Sequence, residues 1–153
     1  MLRVLFVCLG NICRSPMAEG LFAHKVRLAG LEGEIEADSA GTGHWHLGKE
    51  PHEGTRRVLQ QNRIAHSHRA RQITRADLDT FDYIITMDEE NLANVRALGA
   101  ARAAVVPLME FAPNMGALEV PDPYYTGEYE EVYRLVDEAT DGLLATLRRD
   151  HGL

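Results

Sequence analysis

Short apolar stretches alternate with longer stretches of helical periodicity along the whole chain. The first apolar run, Leu2 and residues 4–7, is typical of a buried strand. It is followed by a helix of about four turns with Ser15 at the N-cap and Pro16 in the first turn. Further strands are predicted over residues 34–40, 81–87 and 103–108, and further helices over residues 53–62, 89–98 and 128–149. This alternation predicts an α/β domain in which helices cover both faces of a parallel sheet.

The loop between the first strand and the first helix has the composition of an anion site. It consists of Cys8, Leu9, Gly10, Asn11, Ile12, Cys13, Arg14 and Ser15. A helix N-terminus presents unpaired backbone N–H groups and a partial positive charge, and both favour an anion. Gly10 and Asn11 tolerate left-handed backbone conformations, which lets the loop curl tightly. We therefore predict that residues 9–15 bind a phosphate group.

Cys8, Arg14 and Ser15 add a reaction to this loop. Arg14 offers a planar fork that binds two phosphate oxygens at once. The arginine and the helix dipole favour a thiolate at Cys8, which would attack phosphorus, and Ser15 would donate a hydrogen bond to the sulfur. A lone cysteine at a strand end is ordinarily a packing residue, but Arg14 on the same loop favours catalysis. The predicted reaction is phosphoryl transfer to sulfur.

Cys13 is not required by this chemistry. It is either an inert packing residue or, because it lies close to Cys8, the partner of Cys8 in a reversible disulfide. These are the only 2 cysteines of the chain, and so close a pair makes a poor structural framework. That usage agrees with a reducing compartment, and we expect a cytoplasmic protein.

A general acid is needed for the leaving group, and Asp122 is the candidate. It stands between Pro121 and Pro123 in the irregular segment 109–127, and long irregular segments are usually functional. Tyr124 and Tyr125 follow it directly and could form one wall of a slot for an aryl leaving group. Trp45, the only tryptophan, could form the opposite wall. For each aromatic residue, partial burial against the domain surface is an equally good interpretation.

Length and charge restrict the functional classes. The 153 residues suit one domain, residues 1–153. Lys and Arg total 16 against 23 for Asp and Glu, which gives 16 − 23 = −7 and argues against general binding of nucleic acid or anionic membranes. Arg3 and the strand that begins directly after Met1 predict the absence of a signal peptide, and no apolar run approaches the roughly 20 residues of a membrane span. We expect a monomer, with weak self-association through exposed aromatic residues.

The 7 histidines raise the question of a metal. His44 and His46 flank Trp45, and His66 and His68 are separated by one residue. No cysteine and no obvious third ligand accompanies either pair, so solvent-facing or supporting roles are favoured. We predict no bound metal and no other cofactor.

An ordered set of segments resembles the low-molecular-weight protein tyrosine phosphatases over nearly the whole chain. The segments are Cys8 to Ser15, Asp38-Ser39-Ala40-Gly41-Thr42, Ala70-Arg71-Gln72, Phe81-Asp82-Tyr83-Ile84-Ile85-Thr86-Met87-Asp88 and Asp122-Pro123-Tyr124-Tyr125. The resemblance implies a single three-layer domain with a four-stranded parallel sheet, a cysteinyl-phosphate intermediate and no metal cofactor. It makes Cys8 the nucleophile, Arg14 the phosphate clamp and Asp122 the general acid.

The resemblance also implies supporting residues and partners. Asn11 holds a strained conformation with help from Ser15, Ser39 and His68, and Asp88 is a structural aspartate near the site. Cys13 matches the second loop cysteine, which traps the nucleophile as a disulfide under oxidation. The implied substrates are phosphotyrosine-containing proteins or peptides, with inorganic phosphate as product.

Other chemistries occur on the same scaffold. Arsenate reductases of this type need redox cysteines downstream, and this sequence has none after Cys13. Protein-arginine phosphatases typically carry threonine after the nucleophile, where this chain has Leu9. Leu9, Trp45, Tyr124 and Tyr125 therefore favour phosphotyrosine. A phosphopeptide-binding module without turnover is the alternative of another class, and Cys8, Arg14 and Asp122 together argue against it.

Overall fold

The first strand is one of the two inner strands of a four-stranded parallel sheet. The computed structural model describes all residues, Met1–Leu153. The strands are β1 Leu2–Cys8, β2 Ile35–Gly41, β3 Tyr83–Thr86 and β4 Ala104–Pro107, in the order β2-β1-β3-β4. Cys8 pairs with Gly41 on one side of β1, and Val7 pairs with Thr86 on the other. The predicted α/β architecture with a four-stranded parallel sheet is confirmed.

Six α-helices surround the sheet. They are α1 Arg14–Leu28, α2 Glu53–Gln61, α3 Asp77–Thr80, α4 Glu89–Ala97, α5 Pro123–Thr126 and α6 Tyr129–His151. Two 3₁₀ turns, Leu108–Phe111 and Pro113–Met115, lie between β4 and α5. None of the helices is both long and apolar enough to cross a bilayer.

Side chains of β1 alternate between two cores, as the pleat of a strand requires. Phe6 belongs to the larger core, which α1, α2 and α6 cover, and its ring meets Phe22 edge-on at 5.5 Å between centroids. Leu5 and Val7 belong to the smaller core, to which α3 and α4 contribute Leu78 and Val95. A strand buried on both faces explains the uninterrupted apolar run in the sequence.

The structure corrects one prediction and extends two. Ser15 is not the N-cap of α1, because the helix already begins at Arg14 and its N-cap is Cys13. The segment 109–127 is not wholly irregular, since it contains most of both 3₁₀ turns and α5. The single turn α3 has no counterpart among the predicted helices. Asp88 caps α4 by accepting a hydrogen bond from Asn91 N at 2.8 Å, as expected for an aspartate before a helix.

Candidate active site

The sulfur of Cys8 lies where β1 ends and the loop toward α1 begins. The loop is fixed to the end of β2, where Thr42 N donates to Cys8 O at 2.9 Å. Gly41 permits this approach, because a Cβ there would lie 2.7 Å from Leu9 O. Cys8 Sγ accepts a hydrogen bond from Asn11 N at 3.3 Å and lies 2.9 Å from Ser15 Oγ.

The buried side chain of Asn11 fixes the backbone conformation of the loop. It is one of 2 non-glycine residues with a positive φ, 57°, and it is 1 % exposed. Its Oδ1 accepts from Arg71 N at 3.0 Å and faces His68 Nε2 at 2.7 Å. Because the backbone N–H of Arg71 is a donor, the amide orientation of Asn11 follows from it. The amide nitrogen therefore donates on its other side, to Ser15 Oγ at 2.8 Å and to Ser39 Oγ at 2.9 Å.

These directions determine where the hydroxyl hydrogens point. Ser15 Oγ accepts from Asn11, so its own hydrogen is free to point at Cys8 Sγ. Ser39 Oγ accepts from Asn11 and donates to Glu19 Oε1 at 2.5 Å. The hydroxyl of Ser15 and the backbone N–H of Asn11 are therefore two hydrogen-bond donors aimed at Cys8 Sγ. Both stabilise negative charge on the sulfur.

His68 is the far end of this network. Its Nε2 carries a hydrogen, because Asn11 Oδ1 can only accept. Burial lowers the pKa of His68, although the carboxylates of Glu19 and Asp38 favour the imidazolium. Glu19 Oε1 lies 3.3 Å from His68 Nδ1.

Arg14 is buried beside the sulfur and held by three acceptors. Its Nη1 donates to Asp88 Oδ2 at 2.6 Å and to Val120 O at 3.0 Å, and its Nη2 donates to Asp122 Oδ2 at 3.4 Å. Its Nε has no partner in the protein, which leaves one edge of the guanidinium fork for an oxyanion. Burial works against the charge, but Cys8, Asp88 and Asp122 raise the pKa of Arg14 above its ordinary value.

Asp122 lies at the rim of the cavity that ends on Cys8. It caps α5 by accepting from Tyr124 N at 3.1 Å with Oδ1, which leaves Oδ2 facing Arg14. The cavity measures about 350 Å³. Its lining residues are Cys8, Leu9, Gly10, Ile12, Cys13, Arg14, Trp45, His46, Asp122, Tyr124 and Tyr125.

Aromatic side chains form the walls of this cavity. Trp45 lies over Gly43, where a Cβ would collide with the indole at 1.9 Å. Tyr124 packs edge-on against Tyr125 at 5.4 Å between ring centroids, and His46 lies 5.9 Å from Tyr124. Trp45 and Tyr125 remain largely exposed, 64 % and 75 %, so the slot is open to solvent at its mouth. An open slot with an anion site at its base suits a phosphate group on an aryl side chain of a larger molecule.

Comparisons with known proteins agree with this geometry. A family model described as low molecular weight phosphotyrosine protein phosphatase matches residues 3–152. The chain belongs to this family. It is 46 % identical over 156 residues to the low molecular weight protein-tyrosine-phosphatase YfkJ of Bacillus subtilis, with 100 % of both chains covered. It is 40 % identical over 154 residues to PtpA of Staphylococcus epidermidis, of the same description, covering 100 % of this chain and 98 % of the other.

Solved structures of the phosphatase family share the fold. The crystal structure of YfkJ superposes with a TM-score of 0.95, covering 98 % of this chain and 96 % of that one. A structure titled as a Drosophila arginine phosphatase, 30 % identical, superposes with a TM-score of 0.90 over 96 % of this chain and 97 % of that one. One scaffold therefore hosts phosphatases named for different phosphorylated residues.

The second cysteine of this phosphatase loop lies in a separate hydrogen-bonded chain. Tyr129 lies between Cys13 Sγ at 3.3 Å and His52 Nδ1 at 2.8 Å, and its ring stacks on His52. His52 Nδ1 accepts from Gly54 N, so Tyr129 donates to His52 and Cys13 donates to Tyr129. Burial raises the pKa of Cys13 to about 12 and also raises the pKa of Tyr129.

The structure brings together every residue that the sequence singled out around Cys8. Asn11, Ser15, Ser39 and His68 form one network, and Asp88 and Asp122 both meet Arg14. Sequence reasoning missed the roles of Glu19, Arg71, Tyr129 and the carbonyl of Val120. It gave His46 a solvent-facing or supporting role, and the structure places this residue in the cavity lining. Of these residues, only Glu19 could have been recognised from the sequence. Its carboxylate stands among apolar residues of a buried helix, namely Met17, Ala18, Leu21 and Phe22.

Proposed function

We propose that the chain hydrolyses phosphotyrosine in proteins and peptides through a cysteinyl-phosphate intermediate. The observation that carries the proposal is the convergence of Cys8, Arg14 and Asp122 on one aromatic-walled cavity. The phosphate group lies within the loop of residues 9–15, the Arg14 fork binds two of its oxygens, and the tyrosine ring lies between Trp45 and the tyrosine pair. Leu9 adds an apolar surface beside the ring.

The reaction proceeds in two steps. In the first, the Cys8 thiolate attacks phosphorus, the bond from phosphorus to the phenolic oxygen breaks, and protonated Asp122 gives its proton to the leaving oxygen. In the second, water attacks phosphorus, Asp122 takes a proton from that water, the bond from phosphorus to sulfur breaks, and orthophosphate and the Cys8 thiolate are released. Ser15 stabilises the sulfur as nucleophile and as leaving group, and Arg14 stabilises the charge on the transferred group.

The experiment is steady-state hydrolysis of p-nitrophenyl phosphate, a phosphotyrosine peptide and phosphoarginine in parallel, without added metal. We expect turnover of the first two and a preference for the phosphotyrosine peptide over phosphoarginine. Cys8→Ser is expected to abolish turnover and retain phosphate binding. A preference for phosphoarginine would reassign the substrate, and phosphate binding without turnover in the unmodified protein would establish a binding module.

The role of Asp122 needs a separate comparison of leaving groups. Asp122→Ala should reduce kcat by about 100- to 10,000-fold on a substrate with a poor leaving group, the usual contribution of a general acid. The loss should be much smaller for p-nitrophenyl phosphate, whose leaving oxygen needs little protonation. Asp82→Ala, which removes a carboxylate outside the cavity, is the matched control. Equal losses on all substrates would exclude Asp122 as the general acid.

We further propose that the loop is redox-sensitive and works in a reducing compartment, the cytoplasm. Both cysteines are free thiols. A hydroperoxide oxidises Cys8 to the sulfenic acid, and Cys13 then attacks that sulfur with loss of water to form a disulfide. Inhibition by hydrogen peroxide should be reversed by dithiothreitol, whereas Cys13→Ser should lose activity irreversibly under the same treatment. Equal recovery of both proteins would exclude the protective disulfide.

A further inference from the structure

A chain of hydrogen bonds connects the second loop cysteine to the protein surface. Cys13 Sγ lies 3.3 Å from the Tyr129 hydroxyl, and this hydroxyl lies 2.8 Å from His52 Nδ1. Cys13 and Tyr129 are buried, whereas His52 is half-buried and lines an open groove beside the catalytic cavity. The Tyr129 hydroxyl is the only hydrogen-bond partner of Cys13 Sγ. The proposed hydrolysis uses neither of these two contacts.

We propose that Tyr129 and His52 carry the proton away from Cys13 when Cys13 attacks oxidised Cys8. This proton transfer rests on the redox sensitivity proposed above and gives it a mechanism. A thiol reacts as its thiolate, so Cys13 must lose its proton before or during the attack. Burial raises the pKa of Cys13 to about 12, which makes the loss of this proton unfavourable unless an acceptor lies within reach.

The hydrogen bonds point in the direction that such a transfer needs. Gly54 N donates to His52 Nδ1 at 3.0 Å, so this ring nitrogen carries no hydrogen in the reduced protein and can accept one. The Tyr129 hydroxyl therefore donates to Nδ1, and the Cys13 thiol donates to the Tyr129 oxygen. The other ring nitrogen, Nε2, carries the hydrogen of the neutral imidazole. Each hydrogen along the chain already points toward its next acceptor.

Close packing holds Tyr129 between the cysteine and the histidine. Its ring stacks on His52 with 5.1 Å between centroids and an interplanar angle of 11°. The ring also lies against the backbone of Gly54, where a Cβ would approach Tyr129 Cδ2 to 2.5 Å. Thr55 Oγ1 donates to Cys13 O at 3.0 Å and joins the start of α2 to the loop. The start of α2 therefore fixes both ends of the chain of hydrogen bonds.

The proton transfer accompanies the formation of one sulfur–sulfur bond. Hydrogen peroxide is the oxidant, and it is reduced to water when the sulfenic acid of Cys8 forms. Cys13 Sγ then attacks the Cys8 sulfur, and the bond from that sulfur to oxygen breaks. The oxygen leaves as hydroxide and takes a proton from solvent to become water.

The proton of Cys13 moves along the chain during this attack. It passes to the Tyr129 oxygen, the Tyr129 proton passes to His52 Nδ1, and the proton on His52 Nε2 passes to water in the groove. The hydrogen bond from Gly54 N to Nδ1 is lost in this step. It forms again when reduction of the disulfide reverses the transfer.

The experiment measures how fast the disulfide follows the sulfenic acid. Reduced protein is treated with hydrogen peroxide in the presence of dimedone, which traps sulfenic acids, and mass spectrometry gives the ratio of disulfide to trapped Cys8. Tyr129→Phe keeps the ring and removes the hydroxyl, so it should lower the rate of disulfide formation by at least about 10-fold. Tyr133→Phe, which removes a hydroxyl about one turn further along α6, should leave this rate unchanged.

A second variant, His52→Asn, separates proton transfer from structural support. Asparagine is a good helix cap and accepts hydrogen bonds, but its amide does not take up a proton. His52→Asn should therefore slow disulfide formation as Tyr129→Phe does, whereas a purely structural role of His52 predicts the unmodified rate. In His52→Ala, added imidazole should restore much of the rate. Turnover of p-nitrophenyl phosphate by the reduced variants shows that they fold.

The outcomes distinguish the proton transfer from the redox sensitivity on which it rests. Absence of a disulfide in the peroxide-treated unmodified protein, even without dimedone, would overturn both. An unmodified rate of disulfide formation in Tyr129→Phe or in His52→Asn would overturn the proton transfer alone, because Cys13 would then give its proton directly to the leaving oxygen.

Discussion

At the scale of single residues, the candidate site depends on Asn11. Its amide uses both hydrogens and accepts two hydrogen bonds, while its backbone N–H points at Cys8 Sγ. A residue with a positive φ is held in this conformation only where its surroundings determine it fully. The saturated amide meets that condition, so the loop is formed before any phosphate arrives.

Ser15→Ala tests whether the donor behind the sulfur matters. A hydrogen bond to a charged group contributes about 1.5–3 kcal/mol, so we expect kcat for p-nitrophenyl phosphate to fall by about 10- to 100-fold. Ser67→Ala, which truncates an exposed serine, should be unchanged and serves as the control. A Ser15→Ala enzyme with full kcat would show that Ser15 only supports Asn11.

The Cys13 thiol should resist ionisation up to high pH. Because burial raises its pKa from the ordinary value of 9.0 to about 12, Cys13 should remain a thiol at pH 9, whereas the thiol of the unfolded chain is half ionised there. We expect iodoacetamide to label Cys13 slowly in folded Cys8→Ser protein and rapidly in urea, as measured by mass spectrometry. Equal labelling rates would contradict the buried thiol.

At the scale of elements, two aspartates each cap a helix and also bind the active-site arginine. Asp88 caps α4 and Asp122 caps α5, and each also accepts a hydrogen bond from Arg14. A cap at Asp88 is what the sequence favours, since this aspartate directly precedes the helical pattern of residues 89–98. It did not predict α5 or α3, because a single helical turn has no periodicity and depends on tertiary contacts such as that between Arg71 and Asp77. Ser15 was assigned as the cap because it precedes Pro16, whereas the helix begins one residue earlier, at Arg14, with Cys13 as its N-cap.

Close packing of α6 against the first 3₁₀ turn gives a prediction at this scale. A Cβ at Gly142 would lie 1.9 Å from Phe111 O, so the backbone would have to shift. Gly142→Ala should destabilise the protein by about 1–3 kcal/mol, despite the higher helix propensity of alanine. Urea denaturation measures this change, with exposed Glu138→Ala on the same helix as control. A denaturation midpoint at or above that of the unmodified protein would contradict the close contact.

At the scale of the whole molecule, Arg71 connects separate parts of the fold. Its guanidinium contacts Asp38 on β2 and Asp77 on α3, and its backbone N–H supports Asn11. The sequence predicted the strands and the reacting residues, because buried runs and the Cys8 loop are local signals. It could not predict the acceptors of Arg14, such as Val120 O, which depend on contacts between distant segments.

The Arg71 contact should contribute to stability against acid. The Arg71 hydrogen bonds and those of Thr74 outweigh burial and lower the pKa of Asp77 below its ordinary value of 3.8. A lowered folded pKa gives stability that is present above 3.8 and is lost as pH falls through the folded value. Asp77→Asn should lower the free energy of unfolding by about 1–3 kcal/mol at pH 7. The difference in stability between this variant and the unmodified protein should shrink as the pH falls below 3.8 and through the folded pKa of Asp77.

Thermal melts over a pH series measure the difference. Asp79→Asn, on the same short helix with its carboxylate outside the Arg71 contacts, is the matched control and should show no such pH dependence. A difference between Asp77→Asn and the unmodified protein that persists undiminished to the lowest pH would mean that the carboxylate charge is not the source of the stability.

The partners of the catalytic loop are far apart in sequence, and this separation links folding to the product. Asn11 reaches Ser39 and His68 across 28 and 57 positions, and Arg14 reaches Val120 across 106. A partly folded chain therefore contains the loop residues but not the folded phosphate-binding loop. Orthophosphate that binds only the folded loop stabilises the native state, by about 2.7 kcal/mol when its concentration is a hundred times its dissociation constant. On the proposed mechanism, we therefore expect the product, orthophosphate, to protect the enzyme from unfolding.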